Sequence, residues 1–143
     1  NRFANIDEVL DIVYRDIAGK MRESLCAPYD GEGDFFEHVH HIAARTLHLS
    51  YVAKQNFNQF VFEADSAGEE NFAWWDREIR ALITQGKQLG VVRADLDEAQ
   101  SSYAIWCFIR GFNADALGRG IPENEALARF RYGFDLMLSG MRA

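Results

Sequence analysis

Cysteine is scarce in this chain of 143 residues: Cys26 and Cys107 are the only two, and they lack CxxC spacing. That is too few for a disulfide framework, so both read as reduced, small apolar residues. Long apolar runs are missing too. The longest unbroken one, Tyr103 to Ile109, falls far short of the roughly 20 residues that a membrane span needs. No signal-peptide pattern opens the chain, because Asp7, Glu8, Asp11, Arg15 and Asp16 interrupt the early apolar positions. These absences predict a cytoplasmic protein without a membrane partner. Positive charge is in deficit, with 15 Lys and Arg against 22 Asp and Glu and a formal net charge of -7. Such a balance opposes a direct grip on phosphate backbones. Arg77, Arg80 and Lys87 share one stretch with Glu69, Glu70, Asp76 and Glu78, which reads as a solvated face. The serines, Ser50 and Ser102 among them, lack any nucleophile-elbow motif, and no glycine-rich phosphate loop occurs. Neither an enzyme nor a cofactor is predicted.

Sustained apolar/polar alternation is absent as well, so no strand is expected, and there are no repeats. What is present is helical periodicity with its punctuation. Asn5-Ile6-Asp7-Glu8 is a capping box, after which Ile6, Val9, Leu10, Val13, Ile17, Met21 and Leu25 follow a 3.6-residue period. Residues 1–4 read as the remnant of a preceding junction, and 5–143 as one domain. Pro28 and Asp30-Gly31-Glu32-Gly33 form a loop. Asp34 caps a second helix that ends near Gln55. A short third helix carries Phe57, Phe60, Val61 and Ala64. The fourth runs from Glu69 to Leu89 and is expected to bury Phe72, Trp75, Ile79, Leu82, Ile83, Gly86 and Leu89. Gly90 stops it, Val91 to Arg93 run extended, and Asp95 or Asp97 caps the next helix, Glu98 to Gly118. Pro122 suits the first turn of a last helix that buries Leu127, Phe130, Phe134, Met137, Leu138 and Met141. The result is an all-α bundle of about six helices.

The helix from Glu98 to Gly118 is apolar almost all round, so it should be covered on more than one side. Ile105, Phe108, Ile109, Phe112 and Ala116 form a bulky face suited to the core. Ala104, Cys107, Gly111, Ala114 and Gly118 form a separate stripe of small residues, at alternating spacings of three and four. Small side chains let two helix axes approach closely, and either a helix of the same chain or a second copy fits such a seam.

All four histidines, His38, His40, His41 and His48, lie on the second helix. A metal site using His38, His41 and His48 is the sharp alternative, but Arg45 sits in the same stripe and repels a cation. Glu37-x-x-His40 matches a di-iron bundle motif that such sites need twice, and the sequence has it once. Aromatics are the more informative excess, at 13%. Trp74 falls off the buried arc of its helix, and Arg110 and Asn113 interrupt the Trp106 side of theirs. Aromatic walls with a few inserted polar groups suit a small-molecule cavity between helices; polar contacts across a dimer interface are the competing reading.

Three stretches, taken together, resemble the C-terminal effector-binding and dimerisation domain of the TetR family of transcriptional regulators. Phe3-Ala4-Asn5-Ile6-Asp7-Glu8-Val9-Leu10 looks like that family's junction out of its DNA-reading helix-turn-helix. Leu89-Gly90-Val91-Val92-Arg93-Ala94-Asp95-Leu96-Asp97 is similar to its glycine, extended link and Asp-rich cap. Phe134-Asp135-Leu136-Met137-Leu138-Ser139-Gly140-Met141 resembles its closing helix. The resemblance implies a homodimer in which the last two long helices of each copy form a four-helix bundle. It implies a small hydrophobic or aromatic effector, and DNA contacts made only by a helix-turn-helix domain that this sequence lacks. It implies a repressor released from DNA by its effector, in which ligand binding changes the angle of the first helix. The expected pocket residues are His41, Tyr51, Phe60, Trp74, Trp106 and Arg110. The expected dimer contacts are Ala104, Cys107, Gly111, Ala114, Gly118, Phe130, Phe134 and Met137. A helical interaction module without any ligand is the remaining alternative.

Overall fold

The computed structural model describes residues 2–25, 28–56 and 68–143. Within them the chain is all-helical: α1 (Arg2–Leu25), α2 (Phe35–Asn56), α3 (Glu69–Gln88), α4 (Glu98–Gly118) and α5 (Glu123–Ser139). No described helix is long and apolar enough to cross a membrane. The short helix expected around Phe57, Phe60, Val61 and Ala64 lies outside the described residues.

Local chemistry explains most boundaries. Asp34 Oδ1 accepts from the backbone N–H groups of Phe36 at 2.8 Å and Glu37 at 3.1 Å, satisfying two donors that the first turn of α2 leaves open. Asp97 does the same for Gln100 at 2.9 Å and starts α4. Asp95, the other candidate cap, is instead held by Arg93 at 2.8 Å. Gly90, at φ 75°, turns the chain out of α3 in a conformation that side chains disfavour. The backbone N–H groups of Val91 and Val92 then both donate to Gly86 O. Leu89, expected to be buried, is exposed, because it caps α3 where the chain turns out.

At α1 the structure departs from the sequence reading. The helix runs unbroken from Arg2, so Asn5 is an interior residue and its capping box starts nothing. A cap sets a boundary only where the preceding residues stop propagating the helix, and Phe3 and Ala4 continue it. Ile6, Val9 and Val13 are exposed, Val9 at 58%, as is Ile12, while Leu25 at the far end is buried. α1 lies at the periphery, tied to α3 where Arg22 Nη1 donates to Asn71 Oδ1 at 2.9 Å.

The other helices enclose the core. Contacts between α2 and α4 advance together, Ser50 with Asn113 and then Lys54 with Leu117 O, so these two run parallel. α3 runs against α4, through Asp76 with Ser102 and Thr84 with Glu98. α5 runs against α2, through Glu37 with Arg131 at one end and His48 with Glu123 at the other. Between them Phe134 stacks on Phe108 with ring centroids 5.8 Å apart, and Phe130 packs against both. The tail closes one end of the bundle: Val92 and Arg142 form an isolated antiparallel bridge, and Arg93 N–H donates to Met141 O at 2.9 Å.

Candidate functional site

Two features stand out among the described residues. One is a cavity of about 50 Å³ among α2, α3, α4 and α5, enough for a few waters or a short hydrocarbon chain. Val39, Ala43 and Thr46 of α2 face Trp75, Glu78, Ile79 and Ile83 of α3 across it, with Ile105 and Ile109 of α4 at one side. Phe134 and Leu138 of α5, Val92 and Met141 complete the wall.

None of the five described residues expected to bind a ligand lines this cavity. His41 and Arg110 are exposed to solvent. Tyr51 is half-buried and donates its hydroxyl to Ile121 O at 2.6 Å; burial, with the Glu123 and Glu125 carboxylates, pushes its phenol up from the ordinary value. Trp74 stands edge-on to Trp75 at 4.8 Å, under the Arg22 guanidinium at 5.9 Å. Trp106 packs edge-on against Phe72 at 5.5 Å. Phe60 lies outside the described residues. Asn113, expected to break an aromatic wall, is buried against α2. Its amide donates to Ser50 Oγ at 3.3 Å, while Ser50 donates to Thr46 O at 3.1 Å, and Asn113 Oδ1 is left buried without a partner.

The residues that do line the cavity carry a signal that was open to reading. Glu78 falls three residues after Trp75 and four before Leu82, on the inward arc of α3, although its neighbours Arg77 and Arg80 face solvent. It lines the cavity while staying partly exposed, and the wall it joins is almost wholly apolar.

The histidines disperse. His40 is buried, edge-on to Phe134, with Nε2 3.3 Å from Asp135 Oδ1. His48 Nδ1 lies 2.8 Å from Glu123. His38 packs on Tyr29 and keeps a buried Nε2 with no partner. No three His, Cys, Asp or Glu side chains converge on a metal position among the described residues.

The second feature is the outer face of α4. Ala104, Cys107, Gly111, Ala114 and Gly118 are all exposed, and a Cβ built on Gly111 or Gly118 would meet nothing within 4 Å. No described helix of this chain fills the seam. Tyr103 beside it is exposed too, and hydrogen bonding to the Cys107 thiol pushes its phenol up. On α5 the exposed large side chains are Tyr132 at 73% and Leu136 at 63%. Met137 is half-buried. Phe130 and Phe134, expected among the dimer contacts, are 2% and 1% exposed and fill this chain's own core, which leaves no surface of either for a partner. The packing of α5 on α4 is close: a Cβ on Gly133 would lie 3.1 Å from Phe108 Cζ.

Comparison with known family models, with curated proteins and with solved structures finds no match for this chain.

Proposed function

We propose that this chain is the ligand-sensing and dimerisation domain of a TetR-like transcriptional regulator, a cytoplasmic repressor released from DNA by a small effector. The observation that supports it most is the seam on α4. A stripe of small residues, uncovered by its own chain and next to exposed Tyr103, is a surface that a second helix can approach closely. Pairing α4 and α5 of one copy with those of another makes a two-fold four-helix bundle, in which the same patch serves both sides. The cavity supplies the sensing half of the reading. It opens among the helices that build the dimer face, so a ligand wedged between α3 and α4 shifts elements that the partner also touches. The DNA-reading part is a helix-turn-helix that would be joined to α1, whose peripheral position leaves it free to tilt.

Native mass spectrometry of the purified protein tests this reading. The expected result is the mass of two chains, with a small organic adduct retained when the effector co-purifies. A bare dimer whose melting temperature no small molecule raises would replace the sensor with an interaction module. A single chain at micromolar concentration would overturn the dimer and with it the regulator reading.

A further inference from the structure

The cavity among α2, α3, α4 and α5 offers a ligand nothing to hydrogen-bond. Thr46 Oγ1 donates back to Ile42 O at 2.9 Å, and the wall as a whole presents almost no polar surface, so Glu78 meets the space with its methylenes. A water there would lack the two to four polar partners it needs, whereas a methyl group loses nothing by entering and gains contacts on every side. Size is as restrictive as chemistry. A space of about 150 Å³ takes a benzene ring, and this one holds about 50 Å³, room for about two or three carbons of a chain.

Burial grades across the wall. Ile83, Ile105 and Leu138 are buried, whereas Val39 and Thr46 on α2 and Trp75 on α3 are half-buried. Among the described residues the shallow side therefore lies between α2 and α3, with α4 and α5 behind it. A molecule longer than the cavity can enter from that side with one end inside and its polar group left in water. We propose that the cavity binds the methyl end of an unbranched alkyl chain, inserted between α2 and α3, with no polar atom on the carbons that enter. This rests on reading the cavity as the effector pocket, and it makes the effector an aliphatic compound with its polar group at the far end, rather than an aromatic one.

The test uses hexane-1,2-diol, hexane-1,6-diol and benzyl alcohol, titrated into the intact chain while the isoleucine methyl resonances are followed by NMR. The two diols are isomers with the same pair of hydroxyls, but only the first has a free methyl end; the third offers a ring. Exposed Ile6 and Ile12 report any non-specific effect of the alcohols. Hexane-1,2-diol is expected to shift Ile79, Ile83 and Ile105 together and to bind at least about tenfold more tightly than hexane-1,6-diol, which must bury a hydroxyl without a partner to enter. Benzyl alcohol is expected to leave those three unshifted, and Ala43→Leu, which fills the space from α2, to abolish the response to hexane-1,2-diol. Equal binding of the two isomers would overturn the methyl-end selection, and benzyl alcohol binding as tightly as hexane-1,2-diol would overturn the alkyl class; either leaves an effector pocket of another kind. No shift at the three isoleucines with any of the probes would remove the pocket itself. The order of the isomers on the wild-type protein decides even if the variant fails to fold.

Discussion

Gly86 decides how closely α3 meets the link to α4. A Cβ there would overlap Val92 Cγ2 and lie 3.0 Å from Phe35 Cε1, and both neighbours line the cavity. Val92 is stiff and its N–H is bonded to Gly86 O, so it cannot swing away without breaking the turn. Gly86→Ala is expected to destabilise the fold by about 1–3 kcal/mol, read from urea unfolding, although alanine is the better helix former. Ser102 sets a second single-residue constraint. It is fully buried, its hydroxyl donates to Asp76 Oδ1 at 2.7 Å, and that bond, with help from Arg80, holds the Asp76 carboxyl below its ordinary value of 3.8. The folded chain thus binds this proton less readily than the unfolded one. The stabilisation is present above the unfolded value and is lost as pH falls through the folded one. Ser102→Ala should cost about 1–2 kcal/mol at pH 7 and clearly less at pH 2.5, so that the two stability-against-pH curves converge in acid. A constant gap between them would mean that the hydroxyl acts only through packing.

Among the elements, α4 was the most legible in sequence and α1 the least. Gly90, Asp97 and Gly118 punctuate α4 by local chemistry, and the helix runs between those marks. Asp97→Ala is expected to cost about 1 kcal/mol and to increase amide hydrogen exchange at Gln100, which loses its acceptor. At α1 the same kind of signal misled, because a capping box cannot stop a helix that already continues through Phe3 and Ala4. Its apolar period marks a face, and nothing in the period says whether another element covers that face; Ile6 and Val9 are exposed while Leu25 is buried. The cavity was hidden for a related reason. Ile79, Ile83 and Ile105 were readable as inward-facing, but a gap is what side-chain volumes fail to fill, and that sum across four helices has no signature in any one of them. Trp74 and Trp106, read from the same aromatic excess, each stand edge-on to a second ring, Trp75 and Phe72.

At the scale of the whole molecule, the interior and the outer face of α4 make opposite demands on the same helix. Ile105 and Ala116 look inward, while Cys107, Gly111 and Ala114 look out to a surface that offers little hydrogen bonding. The tail strengthens the closed end of the bundle, where the Arg142 guanidinium sits 4.0 Å over the Phe36 ring and Ala143 N–H donates to Val91 O at 3.0 Å. No described element of this chain covers the seam, and the proposed dimer would place a second copy there. Sedimentation velocity of the wild type beside Gly111→Leu tests that most directly. A Cβ at Gly111 meets no described atom within 4 Å, so the helix content of the single chain should be unchanged. The wild type is expected to sediment at micromolar concentration as two chains of 16.3 kDa, and the variant as one. A wild type that sediments as one chain, or a variant that stays paired, would contradict the assignment of the α4 seam as the dimer interface.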